Sequence, residues 1–292
     1  LKPELLPSPL RGRPVDDVAR DWDAWVRTRD AEIRARVAGG DDDSVVTFML
    51  FGVTFTKQPR YSFARVVAAR VPPSEATERV VSDAVVRGRI HDLTSAIRLP
   101  GANERLQFVR RVLEREGVHI DAPDGQAKSE AFLADALRRM LADYDAYFQQ
   151  SSVGTTLFKE RGLSSDTSIY AAFAVDSALR DLATRGGLEA GRVARVAIVG
   201  PGLDFADKQE GYDVYPIQTI QPFAVLDSLR EHGLASPKGV ALTTFDLSER
   251  INDHLATAVT RARAGRPYVV QVLRDQTLRW DEGLVRYWQR FG

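Results

Sequence analysis

The sequence contains no cysteine, only four histidines, and no excess of either sign of charge. The absence of cysteine excludes disulfides, thiolate metal sites and cysteine nucleophiles. Forty basic residues balance forty acidic ones, which argues against general electrostatic binding to nucleic acid or to an anionic membrane. No apolar stretch approaches the roughly 20 residues needed to cross a bilayer, so no membrane span is expected.

Several common catalytic and metal-binding patterns are also missing. No pair of histidines has the spacing of a metal motif such as H-E-x-x-H. There is no G-x-S-x-G elbow and no Walker pattern, so neither a hydrolase triad nor a P-loop is supported. Three consecutive acids, Asp41 to Asp43, suggest a metal at first sight. We interpret them instead as a solvated helix start, which suits the helix macrodipole.

The first part of the chain is predicted to be helical. Prolines at positions 3, 7, 9 and 14 predict an extended arm over residues 1–14. Apolar side chains at helical spacing predict helices over residues 16–37, 76–97, 103–116, 129–150 and 169–184. Residues 39–44 are expected to end the first helix and to cap the next. The continuous apolar run at 44–56 indicates a buried helix that breaks near Gly52, with a strand as the alternative.

An apolar run rich in β-branched residues occupies positions 193–202 and ends in Gly200-Pro-Gly202. This pattern predicts a buried strand followed by a tight turn. At such a turn, glycines let the backbone approach a ligand closely, and a helix N-terminus can face that ligand. The turn is therefore the first candidate for a site that binds a nucleotide-sized molecule.

The next elements repeat the strand and helix pattern. Residues 221–233 predict a helix, residues 239–245 a second strand that ends at Asp246, and residues 268–273 a third strand. Ser248 can cap the helix that separates the second and third strands. The order β-α-β-α-β is half of a Rossmann-like sheet, in which an acid at the end of the second strand can accept hydrogen bonds from a ribose.

This region, residues 188–292, resembles the front half of a class I S-adenosylmethionine-dependent methyltransferase. Residues 196–202 are similar to the first motif of that family, and Phe245-Asp246-Leu247-Ser248 is similar to its second. The resemblance implies S-adenosylmethionine as the cofactor. The backbone at Gly200 and Gly202 would then approach the methionine part. Asp246 would accept the ribose hydroxyls, while Leu247 and Ser248 would line the ribose and adenine side.

The chain departs from the family pattern D-x-G-x-G-x-G at two places, where it has Ile198 and Asp204. Asp204, Asp207 or another polar group would have to hold the methionine part; otherwise the fold has lost the cofactor. The loop over residues 204–221 carries three aspartates and two tyrosines and is a candidate wall of the site.

Two other interpretations of the motifs remain. A dinucleotide site fits less well, because its ribose-binding acid should follow the turn by about 20 residues, whereas Asp246 lies much further along. In the second interpretation, neither motif binds a ligand: the Gly200-Pro-Gly202 turn only ends a strand, and Asp246 only precedes a helix cap. In the polar stretch at 158–168, Ser164, Ser165 and Asp166 can cap the next helix. The alternative is that Arg161 and Asp166 face the cofactor cleft.

The predicted fold class is α/β, with a helical N-terminal domain over residues 1–187 packed on a Rossmann-like, mainly parallel sheet over residues 188–292. Residues 274–292 are too few to finish a sheet of the usual seven strands, which favours a domain that continues beyond Gly292; a smaller sheet, or strands supplied elsewhere, are the alternatives. The predicted function is methyl transfer from S-adenosylmethionine to an unknown acceptor. The alternative is a non-catalytic binding or assembly module on a degenerate methyltransferase-like fold.

The predicted location follows from the function. A methyltransferase would be cytoplasmic, since its methyl donor is a cytosolic compound. A protein whose leader had been removed before Leu1 would instead be exported, which would favour the non-catalytic alternative.

Overall fold

The computed structural model describes residues 2–61, 73–149, 169–203, 213, 216–272 and 280–292. Over these residues the protein is a mixed α/β structure that is mostly helical and has a small parallel sheet of two strands. The helices are α1 (Val15–Phe51), α2 (Pro73–Ser82), α3 (Ala84–Ala96), α4 (Glu104–Arg115), α5 (Gly125–Gln149), α6 (Ile169–Thr184), α7 (Gln221–Glu231), α8 (Glu249–Arg263) and α9 (Glu282–Arg290), and the strands are β1 (Arg195–Val199) and β2 (Ala241–Phe245).

Helix α1 is one continuous helix of 37 residues, so the predicted end at residues 39–44 is wrong. Each glycine within a helix costs about 1 kcal/mol relative to alanine, and tertiary packing overrides that cost here. The helix ends at Phe51, and Gly52 is its C-terminal cap, as predicted. Residues 44–51 are therefore helical rather than a strand. Before α1, the arm is not simply extended, because it forms short 3-10 turns at Pro3–Leu5 and Ser8–Leu10.

The acidic stretch in the middle of α1 contacts other helices. Asp41 accepts a hydrogen bond from Arg115 on α4 at 2.7 Å, and Asp42 is 3.3 Å from a guanidinium nitrogen of Arg139 on α5. Asp43 is buried. The three aspartates are therefore not a solvated helix start, and their ion pairs help to dock α1 onto α4 and α5.

Helices α1 to α5 enclose the larger hydrophobic core. Helix α5 packs against α1, α2 and α3. The single helix predicted over residues 76–97 is in fact α2 and α3, because the carboxylate of Asp83 accepts the Val85 N–H at 2.8 Å and caps a new helix. Helix α4 begins after Asn103 as predicted, and the Asn103 side chain caps it. Helix α5 begins at Gly125, earlier than predicted.

Arg89, on α3, is a completely buried cation within this core. Its guanidinium donates hydrogen bonds to the carbonyl groups of Met49, Gly52, Gln58 and Pro59. Two of these carbonyls belong to the C-terminal end of α1, where the helix macrodipole favours a positive charge. Burial lowers the pKa of Arg89 to about 10. Arg89 thus stabilises the end of α1 from inside the core.

The α/β part contains β1 and β2 as parallel neighbours, connected through α7. The strand predicted at 193–202 is β1, but the prediction that it is buried is wrong, because only Ile198 of its five residues is buried in this two-stranded sheet. Helix α6 packs against α7, and α9 packs against α6. Helix α6 has the predicted bounds, whereas the sequence did not predict α9. No described helix has the length and apolar character that a membrane span requires.

The third predicted strand is wrong over the residues that the structure describes, 268–272, because they do not join the sheet of β1 and β2. A side chain takes the place of a neighbouring strand there. Gln218 donates from Nε2 to the Gln271 carbonyl and accepts the Gln271 N–H at Oε1, both at 2.8 Å. Residue 273 lies outside the described residues.

Candidate ligand site at the strand ends

The turn after β1 and the acid after β2 lie side by side. Val199 and Phe245 are partners in the parallel register, and the Gly200 N–H donates to the Phe245 carbonyl at 2.8 Å. Gly200 and Asp246 therefore occupy adjacent positions at the carboxyl edge of the sheet. The structure thus brings together two motifs that are more than 40 residues apart in the sequence.

The backbone of this turn needs both glycines and leaves space beside them. Gly200 and Gly202 each have a φ of 67°, in the left-handed region that other residues rarely adopt. A Cβ atom added to either glycine would meet no atom of the described residues within 4 Å. Among the described residues, the backbone beside both glycines is therefore open.

Asp246 is fixed by the start of α8. Its Oδ1 accepts the Ser248 N–H at 2.9 Å, and its carbonyl accepts a hydrogen bond from the Asn252 side chain at 3.0 Å. Ser248 is the N-cap residue of α8, as predicted, but its side chain makes no capping hydrogen bond, and the Asp246 side chain holds this turn instead. Within the described residues, Oδ2 of Asp246 makes no hydrogen bond. One carboxylate oxygen thus remains for a ligand.

Leu247 and Ser248 line a cavity of about 490 Å³ between α1, α4 and the start of α8. This volume lies within the range of small-molecule pockets. Gly200, Gly202 and Asp246 are not among the residues that line it. Its wall combines apolar side chains with the four arginines Arg34, Arg111, Arg115 and Arg250 and the three acids Asp41, Glu114 and Glu249. The predicted site residues therefore face two neighbouring spaces rather than a single pocket.

The acidic position of the family pattern supplies no charge here, because the chain has Ile198 at that place. Ile198 is only 6% exposed and points into the buried face of the sheet. Asp204, Asp207, Arg161 and Asp166 lie outside the described residues. No cluster of metal-binding side chains occurs in the part of the chain that the structure describes.

One residue of the loop at 204–221 is described at its centre, and it binds the helical region. The Asp213 carboxylate accepts hydrogen bonds from the Val53 N–H and the Thr54 N–H at 2.8 Å, and from the Thr54 hydroxyl at 2.6 Å. Asp213 is 4% exposed. This aspartate therefore anchors the loop and is not available to a ligand.

A hydrogen-bonded chain that the sequence did not predict lies behind the turn. His254 on α8 is bonded to Glu104 through Nδ1 at 2.9 Å and to the Tyr268 hydroxyl through Nε2 at 2.7 Å. The Thr219 N–H donates to the same hydroxyl at 2.8 Å. The His254 hydrogen bond holds the pKa of Glu104 below its usual range. Glu104 and His254 are 150 residues apart, so no local pattern indicates their contact.

A second buried polar cluster joins α6, α7 and α9. Asp176 accepts hydrogen bonds from His232 at 2.9 Å and from Arg290 at 2.7 Å. Burial raises the pKa of Asp176, but these hydrogen bonds outweigh burial and hold it below the usual range. Burial also raises the pKa of the neighbouring Tyr287. Because Asp176 is almost completely buried, the cluster stabilises helix packing and is not open to a ligand.

Comparison with protein-family models, curated proteins and solved structures gave no match for this chain. The methyltransferase resemblance therefore depends on the two strand-end motifs alone.

Proposed function

We propose that the Gly200–Gly202 turn and Asp246 bind S-adenosylmethionine and that the protein transfers its methyl group to an acceptor. The observation that carries this proposal is the adjacency of Gly200 and Asp246 at the carboxyl ends of two parallel strands. Ligands of doubly wound α/β folds bind at this edge of the sheet. On this proposal, the order β1-α7-β2-α8 is the first part of a Rossmann-like sheet.

Each proposed contact has a chemical reason. The open backbone at Gly200 and Gly202 suits the methionine part of the cofactor, and Oδ2 of Asp246 suits a ribose hydroxyl. Leu247 and Ser248 would flank the ribose and adenine side, next to the cavity of about 490 Å³. Ile198 cannot bind the amino group of the cofactor, so a polar residue such as Asp204 would have to do so.

Methyl transfer requires the protein chiefly to align the acceptor atom with the methyl group of the cofactor. When bound, S-adenosylmethionine supplies an electrophilic methyl group. Orienting an acceptor atom towards that group provides much of the rate, and a dedicated base is optional. The absence of an obvious base from the strand-end edge, within the described residues, is therefore compatible with methyl transfer.

Calorimetry with S-adenosylmethionine tests the proposal when wild type is compared with Asp246→Asn. Asparagine can still accept the Ser248 N–H, so the turn is kept while the charged acceptor for the ribose is lost. We expect binding to weaken by about tenfold or more, as for other hydrogen bonds to charged groups. Asp253→Asn is the matched control, because Asp253 is an exposed acid on the same helix.

A folded wild-type protein that does not bind the cofactor would overturn the proposal, as would unchanged binding by Asp246→Asn. The first result would leave the non-catalytic binding or assembly module. One specific observation favours that alternative: Val199 is 81% exposed and Phe245 is 55% exposed on the same face of the sheet. Parallel sheets are ordinarily covered on both faces, and exposed apolar patches often mark protein interfaces.

A further inference from the structure

Glu104, His254 and Tyr268 form a continuous hydrogen-bonded chain between the helical core and the strand-end region. Glu104 is the first residue of α4, and His254 lies on α8 and is only 7% exposed. The Tyr268 ring stacks on Phe223 at a centroid distance of 4.3 Å, which fixes the position of its hydroxyl. The hydrogen-bonded chain thus connects α4 to α8, and the stacked Tyr268 ring connects it to the first turn of α7.

The direction of each hydrogen bond follows from the groups involved. The Thr219 N–H can only donate, so the Tyr268 oxygen accepts from it. An ionised Glu104 can only accept, so the Nδ1 atom of His254 carries the hydrogen of that bond. If Tyr268 donates its own hydrogen to Nε2 of His254, every hydrogen in the chain has an acceptor within it. This arrangement requires the Nδ1–H tautomer of His254.

The Tyr268 end of the hydrogen-bonded chain reaches the candidate site through Thr219. Thr219 is completely buried, and its hydroxyl oxygen lies 3.5 Å from the carbonyl oxygen of Pro201, between Gly200 and Gly202. Thr219 therefore contacts the Tyr268 hydroxyl through its backbone N–H and the turn through its side chain.

We propose that Glu104, His254 and Tyr268 are positioning residues for the Gly200–Gly202 turn, acting through Thr219. The structural claim stands on the hydrogen bonds above; only its effect on cofactor affinity rests on the proposed function. In a protein whose turn backbone contacts a ligand, a small displacement of that turn weakens binding without removing any ligand-contacting group.

Nuclear magnetic resonance on the uniformly ¹⁵N-labelled full chain tests the structural claim. In wild type, the ¹⁵N shifts of His254 should show the Nδ1–H tautomer, and observation of the Nε2–H tautomer would overturn the hydrogen-bond directions. This measurement needs no variant, so it remains decisive even if a substitution prevents folding.

The variants Tyr268→Phe and His254→Gln test the positioning role. Tyr268→Phe keeps the aromatic ring and removes only the hydroxyl. We expect Thr219 amide exchange to accelerate by about tenfold, as for the loss of one buried hydrogen bond, and the Gly200 and Gly202 amide signals to shift. His91→Gln is the matched control for His254→Gln. His91 is bonded to Glu130 at 2.9 Å, the same distance as between His254 and Glu104, but on the exposed surface of the helical core.

Faster exchange at Thr219 with unchanged Gly200 and Gly202 signals would overturn the positioning role and leave the chain as a local contact. Calorimetry then separates this inference from the proposed function. If wild type binds S-adenosylmethionine, Tyr268→Phe should weaken binding by about threefold to tenfold while every proposed ligand contact remains. If wild type does not bind the cofactor, the proposed function fails, whereas the amide measurements still decide whether the chain positions the turn.

Discussion

Asp176 is an almost completely buried carboxylate that accepts hydrogen bonds from His232, at the C-terminal end of α7, and from Arg290 on α9. The hydrogen bonds from Arg290 and His232 hold its pKa below the ordinary value of an aspartate near 4. A carboxylate with a depressed pKa in the folded state stabilises that state above its unfolded pKa. This stabilisation is lost as the pH falls through the folded pKa.

We therefore expect Asp176→Asn to lower the free energy of unfolding by about 2–4 kcal/mol at pH 7, since it leaves Arg290 without its buried partner. The difference from wild type should shrink between pH 4 and pH 3, where the unfolded carboxyl becomes protonated. Urea unfolding at both pH values measures this difference. Asp181→Asn, on the exposed face of α6, should have little effect at either pH. A difference that does not change with pH would contradict the role given to the Asp176 charge.

At the scale of elements, α1 illustrates how local signals and packing compete. Two adjacent glycines and three aspartates predict a helix end, yet α1 continues through them because its following turns bury Val45, Val46 and Met49 in the larger core. Arg115 and Arg139 on other helices bind two of the aspartates. Asn103 shows the opposite case, since its side chain caps α4 where the sequence predicts a start. Caps act within one helical turn and can be predicted, whereas ion pairs between distant helices cannot.

Gly39, within α1, and Gly52, at its C-terminal cap, give a direct test of where this helix continues and where it ends. Gly39 has helical geometry and open space where a Cβ atom would lie, so Gly39→Ala should stabilise the protein by about 0.5–1 kcal/mol. At Gly52, an added Cβ would lie 2.6 Å from Phe48 atoms, so Gly52→Ala should destabilise it by about 1–3 kcal/mol. Thermal unfolding of both variants measures these effects. Destabilisation by Gly39→Ala would show that α1 does not continue through residue 39.

The third predicted strand fails for a similar reason. Residues 268–272 have the apolar, β-branched composition of a strand, but a strand needs a backbone partner. Gln218 satisfies the Gln271 backbone with its side chain, and Tyr268 turns its hydroxyl towards Thr219 and His254. Composition indicates which residues suit a sheet, whereas the available partners decide whether a sheet forms.

For the whole molecule, several long-range contacts between described residues connect the helical core to the α/β part, including Arg250 over the Phe108 ring at 3.9 Å. Glu104 binds His254, and Val53 and Thr54 bind Asp213. Periodicity along the chain predicted the helices on one side and the glycine turn with Asp246 on the other. Periodicity could not predict these hydrogen-bonded connections, because a single sequence carries no information about pairs of residues 150 or more positions apart. The sequence therefore did not predict the Glu104–His254 contact or the contact of Asp213 with Val53 and Thr54.

Binding of S-adenosylmethionine at the strand-end edge is measured by titrating the cofactor into ¹⁵N-labelled protein while following the amide signals. Binding at this edge predicts that the largest shifts fall on Gly200, Gly202 and residues 246–248, with smaller shifts at Thr219. Shifts confined to other regions, or no shifts at millimolar cofactor in a folded protein, would contradict it.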